Sequence, residues 1–337
     1  MNFDHLAGKR VMLIGGAGFI GHNLALRLNE LGAKVAIIDS LHVNNLLSFS
    51  ANPSVDRQLY LRIINERIDL IHDAGISLDI QDARDYHMLS KVIGRFAPDV
   101  VVQLAAVSHA ARSNKDPYST FDHSLRTLEN ALDAARGLNA HFVFFSSSMV
   151  YGNFDAESVT EDHPLNPIGI YAALKLSGEK ITHAYHQVFD LPYTVVRPSA
   201  LYGERCVSRR VGQVFIENAI KGNLLTIDGD GKERLDFTYI DDLVQGLCLV
   251  IGNEAAYNQT FNLTYGSSRA IVDLVDILRS HFDDLMVKFK PRDKLMPFRG
   301  TLCVDRAKEV LGYDPSHPLD VGYPKYIDWY KTIAGKK

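Results

Sequence analysis

The sequence predicts a doubly wound α/β fold, a parallel sheet with helices on both faces, followed by a smaller α+β part. Three observations predict it. Short runs rich in β-branched residues ("RVMLIGG", "KVAIID", "DVVVQLAA", "HFVFFSSS", "YTVVRPSA") are apolar almost throughout, as strands covered on both faces are. Longer amphipathic segments separate these runs, and repeated strand–helix alternation builds a parallel sheet. Several glycines crowd between the first strand and the first helix, where a tight strand-to-helix turn belongs.

In chain order, "FIGHNLALRLNELG", "ARDYHMLSKVIGRFA", "STFDHSLRTLENALDAARG" and "YAALKLSGEKITHAYHQVF" read as the helices of the first part. Residues 41–75 are long for a strand-to-helix connection, which predicts an inserted helix around "RQLYLRIINERIDLIHDAG". After about Arg205 the pattern changes to turn-rich pieces, a helix at "SSRAIVDLVDILRSHF" and a closing helix near "VDRAKEVLG". The expected division is 1–178 for the first domain and 179–337 for the second, with segments near 193–203 and 236–264 crossing back to the sheet. "IDGDGK" resembles the start of a calcium loop but lacks the distal glutamate, so a hairpin turn is the better reading.

Composition narrows the function classes. The 337 residues are 46% hydrophobic and 23% charged, with 36 basic and 40 acidic residues and a net charge of −4, so nothing points to nucleic acid or a membrane surface. No apolar run approaches the roughly 18 residues that span a bilayer, and "MNFDHLAGKR" carries no leader-like core. Three scattered cysteines, Cys206, Cys248 and Cys303, have no metal spacing, and the histidines show no H-x-x-x-H spacing on a helix; no metal is expected. A cytoplasmic location follows, and the sequons at Asn258 and Asn262 read as chance, "TFNLT" being strand-like.

The glycine cluster has a chemical reading. Gly15, Gly18 and Gly21, with Phe19 and Ile20 between them, open a helix after a strand. Glycines there let main-chain N–H groups approach a pyrophosphate at the helix N-terminus, and the last one lets helix and strand pack closely. Asp39 ends the second strand about 20 residues on, where a carboxylate binds the adenosine ribose hydroxyls and repels a 2′-phosphate; NAD is favoured over NADP. Further on, Tyr171 and Lys175 share one helix face. A phenol titrates near pH 10, and a nearby ammonium favours the phenolate. "FFSSSMVYG" places serines at a strand's carboxyl end, where ligands of such sheets bind.

Together "GGAGFIG", Asp39, "LDI", "QLAAVSHAARSNKDP", "SSSMVYG", "YAALK", "RPSALYG" and "LDFTYIDD" resemble the extended short-chain dehydrogenase/reductase family, and within it the NAD-dependent nucleotide-sugar epimerases and dehydratases. The resemblance covers nearly the whole chain and implies a Rossmann-type sheet with a smaller substrate domain. It implies Tyr171 as proton acceptor, Lys175 as its partner and Ser147 as the catalytic hydroxyl. Asp79 and Ile80 match the family's adenine contacts, while Leu104, Ala105 and Ala106 line the cofactor cleft. Ser113, Ser147 and Ser148 lie by the sugar. Arginines suit a diphosphate, and of Arg205, Arg209 and Arg210 in "GERCVSRR" and Arg299 in "PFRG", Arg209 and Arg299 are the expected ones. His109 hydrogen-bonds the sugar, acts as an auxiliary acid or base, or is merely structural, the last being the favoured reading.

Departures from the family pattern narrow the reaction. Family dehydratases carry acids just after the catalytic hydroxyl, where this chain has Ser148 and Met149. Methionine can neither give nor take a proton, which disfavours a dehydratase and weakens a decarboxylase. The family's asparagine and arginine before and within the nucleotide site align with Ala200 and Leu235. The resemblance then implies C4 epimerisation of a UDP-hexose or UDP-hexuronate through a transient 4-keto sugar, by a homodimer. The alternatives are a net C4 oxidoreductase, a decarboxylase, and a non-catalytic NAD-sensing protein.

Overall fold

The computed structural model describes residues 3–50, 56–108 and 110–335. Among the described residues the central sheet has seven strands: β1 (Arg10–Ile14), β2 (Lys34–Asp39), β3 (Ser77–Ile80), β4 (Val100–Gln103), β5 (His141–Phe145), β6 (Tyr193–Arg197) and β7 (Gln259–Asn262). They are ordered β7-β6-β5-β4-β1-β2-β3 and every pair is parallel. Strand order reverses between β1 and β4, and a crevice opens beyond the carboxyl ends of such a pair.

Successive residues of β1 face opposite cores, which is why the run has no polar alternation. Val11 and Leu13 belong to one cluster with Val35, Ile37 and Val102; Met12 and Ile14 belong to the other with Ala36, Ile38 and Val101. Helix α1 (Phe19–Glu30) covers the first face with Leu24, Ala25 and Leu28. Helix α3 (Tyr86–Phe96) covers the second, N-capped by the Asp85 carboxylate.

The expected insertion is helix α2 (Arg57–Asp73), N-capped by Asp56. It is anchored by a buried polar cluster: Tyr60 donates to Glu217 at 2.5 Å, as does Tyr330 at 2.6 Å, and Gln213 Nε2 donates to both phenols and to Glu217.

Three local expectations are corrected. "STFDHSLRTLENALDAARG" is not one regular helix. A π-helical turn at Asp122–Arg126 precedes α4 (Thr127–Arg136) and brings His123 to the wall of the crevice. The "IDGDGK" turn does not close a hairpin: Leu225–Asp228 before it pairs in parallel with Val287–Lys290, and Arg234–Leu235 after it pairs with Arg269–Ala270. Lastly, the helix at "VDRAKEVLG" (Asp305–Leu311) is followed by another, Leu319–Ile333, whose buried tyrosines join the larger core.

Candidate active site

The glycine turn is built so that side chains cannot fill it. Gly15 has φ +80°, and a Cβ there would lie 2.6 Å from the Ala105 backbone nitrogen. At Gly21 a Cβ would lie 2.5 Å from the Gly16 carbonyl oxygen. The amides of Leu104 and Ala105 both donate to the Ile14 carbonyl at 2.9 Å, which holds the β1 and β4 ends against each other. Gly18 is the N-cap of α1 and supplies no side-chain cap, so the helix's first N–H groups face the crevice uncapped and suit an anion.

Asp39 ends β2 across this turn. Its carboxylate accepts from the amides of Ala17 at 3.0 Å and Leu41 at 2.7 Å. Burial raises its pKa, partly offset by those two hydrogen bonds. Gly15, Gly18, Phe19, Ile20, Gly21, Asp39, Leu104, Ala105 and Ala106 all line one cavity. Bare glycines, uncapped amides and a fixed carboxylate at the far end are a donor set that fits a dinucleotide.

Asp79 and Ile80, the expected adenine contacts, end β3: Asp79 pairs with Arg95 at 2.8 Å, Ile80 is 61% exposed, and Gln81, Asp82 and Ala83 after them line the cavity.

Helix α5 (Ile170–Phe189) begins at Gly169 and carries Tyr171 and Lys175 on its first turns. Both side chains are buried. Together with Ala105 and Ala106 they line a small void beside the dinucleotide cavity. Lys175 Nζ donates to the Phe145 carbonyl at 2.5 Å. Burial pushes its pKa down to about 8, against a smaller opposing pull from Glu179.

Tyr171 also lines a second cavity, of about 290 Å³, with Met149, Arg209 and Arg299. Tyr171 thus lines both the small void and the second cavity. Ser147, in extended backbone, precedes the turn Ser148–Tyr151, and its Oγ accepts from the Met149 amide at 3.2 Å. Ser148 is buried and donates its amide to the Pro198 carbonyl.

Arg299 is half-buried, its Nε is buried with no partner among the described residues, and burial lowers its pKa to about 10. Arg209 takes a left-handed conformation (φ 52°) fixed by its amide donating to Gln213 Oε1 at 2.8 Å. Arg205 faces elsewhere, donating to Glu66 and His22. Leu235 lines the cavity at the position of the family's arginine, and the adjacent Arg234 is bound to Ser268. Ser113 is fully buried behind Ala110, Ala111 and Asn114, which form the wall. His109 lies outside the described residues.

Sequence reasoning missed Asn114 and weighed Arg210 without choosing it; both line the second cavity, and Arg210 also lines the first. It also missed Arg67 on the dinucleotide cavity. A signal existed for the last: Tyr60, Ile63, Ile64 and Ile71 form an apolar stripe, and Arg67 falls on it.

The chain matches the model of the NAD-dependent epimerase/dehydratase family over residues 11–264. It is 30% identical over 352 residues to UDP-glucuronate 4-epimerase 1 of Arabidopsis thaliana, covering 97% of this chain and 78% of that protein. Among solved structures it superposes on UDP-glucose 4-epimerase of Thermotoga maritima with UDP-glucose, at a TM-score of 0.84 and 25% identity, covering 96% and 99% of the two chains. A variant UDP-glucuronic acid 4-epimerase from Bacillus cereus, in complex with UDP-4-deoxy-4-fluoro-glucuronic acid and NAD, gives 0.86 at 25% identity, with the same coverage. No group of three or more metal-ligating side chains occurs among the described residues, nor any helix long and apolar enough to cross a membrane.

Proposed function

The chain belongs to the NAD-dependent epimerase/dehydratase family, and from that premise we propose that it is a nucleotide-sugar 4-epimerase acting on a UDP-hexose or UDP-hexuronate. The observation that carries this reading is the position of Tyr171, which lines the substrate-sized cavity and shares a void with Lys175 and the Ala105–Ala106 wall of the dinucleotide cavity. When bound, NAD supplies the hydride acceptor and, once reduced, the donor.

The remaining chemistry belongs to the chain. The glycine turn and the first amides of α1 hold the pyrophosphate, and Asp39 accepts from the adenosine ribose. Tyr171, as phenolate, takes the C4 hydroxyl proton and returns it after the 4-keto sugar has turned over. The Lys175 ammonium stabilises that phenolate. Ser147 already accepts from an amide, so its hydroxyl hydrogen is available to the sugar oxygen. Arg209 and Arg299 anchor the diphosphate while the sugar reorients.

Met149 occupies the acid's place on the cavity wall. That supports epimerisation over elimination of water, for which a positioned acid and base are needed at the sugar.

The test is turnover without added NAD. Purified protein mixed with UDP-glucose or UDP-glucuronate is expected to interconvert the C4 epimers continuously. One stoichiometric turnover followed by arrest would instead indicate a net C4 oxidoreductase.

The division at 178/179 is part of the same reading. Residues after 179 supply most of the second cavity's wall, and β6 and β7 complete the sheet. A homodimer through α4 and α5 is supported by the exposed Leu138, Val188 and Phe189 at the ends of those helices. Light scattering of the purified protein is expected to give twice the chain mass of 37.6 kDa, and a monomeric mass would remove the dimer.

A further inference from the structure

Helix α2 sets a charged residue into an apolar stripe. Arg67 is 1% exposed, between Ile63, Ile64 and Ile71. Its Nε donates to the Arg205 carbonyl at 2.9 Å, and Nη2 donates to the same oxygen. Nη1 is equally buried and has no partner among the described residues. Buried charged donors are rarely left unpaired, because they have lost water without replacement.

Arg67 and Asp39 line the same cavity as Gly18 and Gly21. The guanidinium and the carboxylate attract each other, and burial works against both charges. The two amides that donate to Asp39 leave further lone pairs on its oxygens. A group that can both accept and donate satisfies the two residues at once, and a hydroxyl is such a group.

We propose that Arg67 Nη1 donates to a ribose hydroxyl on the adenosine half of the bound dinucleotide, the same hydroxyl donating to Asp39. This rests on the dinucleotide reading of the cavity given above. Arg67 is a positioning residue: it touches no reacting atom, and its effect is retention of the cofactor. An epimerase needs that retention, since the dinucleotide must stay in place from the removal of the hydride to its return. The inserted helix α2 gains a role from it, bringing one donor to the cavity and bracing the 205–210 loop through the Arg205 carbonyl.

The experiment compares ligands as well as variants. Wild-type protein, Arg67→Gln and Arg67→Lys, each freed of endogenous nucleotide, are titrated calorimetrically with ADP-ribose and with its 2′-deoxy- and 3′-deoxyadenosine analogues. Arg67→Gln is expected to weaken ADP-ribose binding about 10- to 100-fold, the range of a lost hydrogen bond to a charged donor. For the analogue lacking the contacted hydroxyl the loss should shrink to less than about 3-fold, because the interaction is already absent.

An equal loss with all three ligands would mean that Arg67 acts only through the loop, and no loss would mean no contact; either overturns the proposal. If Arg67→Gln does not fold, Arg67→Lys carries the same comparison, since it keeps the charge and loses the planar fork. Failure of the wild-type protein to bind ADP-ribose at all would remove the dinucleotide reading itself, an outcome distinct from a failure confined to Arg67.

Discussion

Replacing Tyr171 with Phe is expected to lower kcat for epimerisation by about 10²- to 10⁴-fold, the usual worth of a positioned acid–base group, while NAD binding stays within about 3-fold of wild type. The substitution removes one oxygen. The ring remains, and it is the ring that packs with Met149 and Ala172 in a small buried cluster. Lys175 holds its place through the Phe145 carbonyl and not through Tyr171, so the ammonium persists without a phenolate to stabilise. The dinucleotide cavity is walled by the glycine turn, Asp39 and the 104–106 segment, and Tyr171 is not among the residues that line it. Steady-state kinetics together with calorimetric titration of NAD separate the two effects. Undiminished turnover in the Phe variant would assign proton transfer to another group, whereas NAD binding with no turnover in the wild-type protein would restore the reading of the chain as an NAD-sensing protein.

Much of this site was legible because local rules and the global fold agree. The β1 run had to be apolar on both faces, and its residues do divide between two cores. The glycine turn was legible because the approach of Ala105 to Gly15 tolerates no Cβ. Positions set by long-range packing were harder to read. That Gln81, Asp82 and Ala83, just beyond the edge strand β3, line the cavity was not legible. Ser113 lies in a segment whose neighbours Ala110, Ala111 and Asn114 line the second cavity, but it is itself fully buried. The partner of "LTID" lay far along the chain at "VKFK", so a glycine turn that looked like a hairpin joined strands of different sheets. In each case side-chain chemistry was read correctly as polar or apolar, and the direction it faced depended on an element distant in sequence.

Arg197→Met is expected to cost about 3–5 kcal/mol of stability, measured by denaturant unfolding, because it strands a buried carboxylate. Arg197 forks onto Glu179 with Nε–Oε1 at 2.9 Å and Nη2–Oε2 at 2.7 Å, both side chains at most 8% exposed. Its remaining nitrogen donates to the Tyr151 hydroxyl and the Glu161 carbonyl. Glu179 also accepts from Ser146, and Tyr151 donates to Asn262. The network therefore ties the end of β5, β6, β7 and α5 to the Ser148–Tyr151 turn. Replacing both charges, Arg197→Met with Glu179→Leu, should recover most of the loss, since a buried pair stabilises little relative to apolar residues of similar volume.

Glu179 has a second effect, on Lys175. It is the counterweight to the burial that brings the ammonium's pKa down to about 8. In Glu179→Gln that pull is gone and the pKa falls further. The ammonium is the form that supports Tyr171, so the alkaline fall of kcat should move to lower pH. The linkage to stability has the opposite sense. Because the folded pKa lies below the unfolded value of 10.5, burying the charge costs stability at neutral pH. That cost is relieved as pH rises from about 8 to 10.5, where the unfolded chain binds more protons than the folded one. An alkaline limb that stays in place in Glu179→Gln would make the glutamate a structural partner of Arg197 alone.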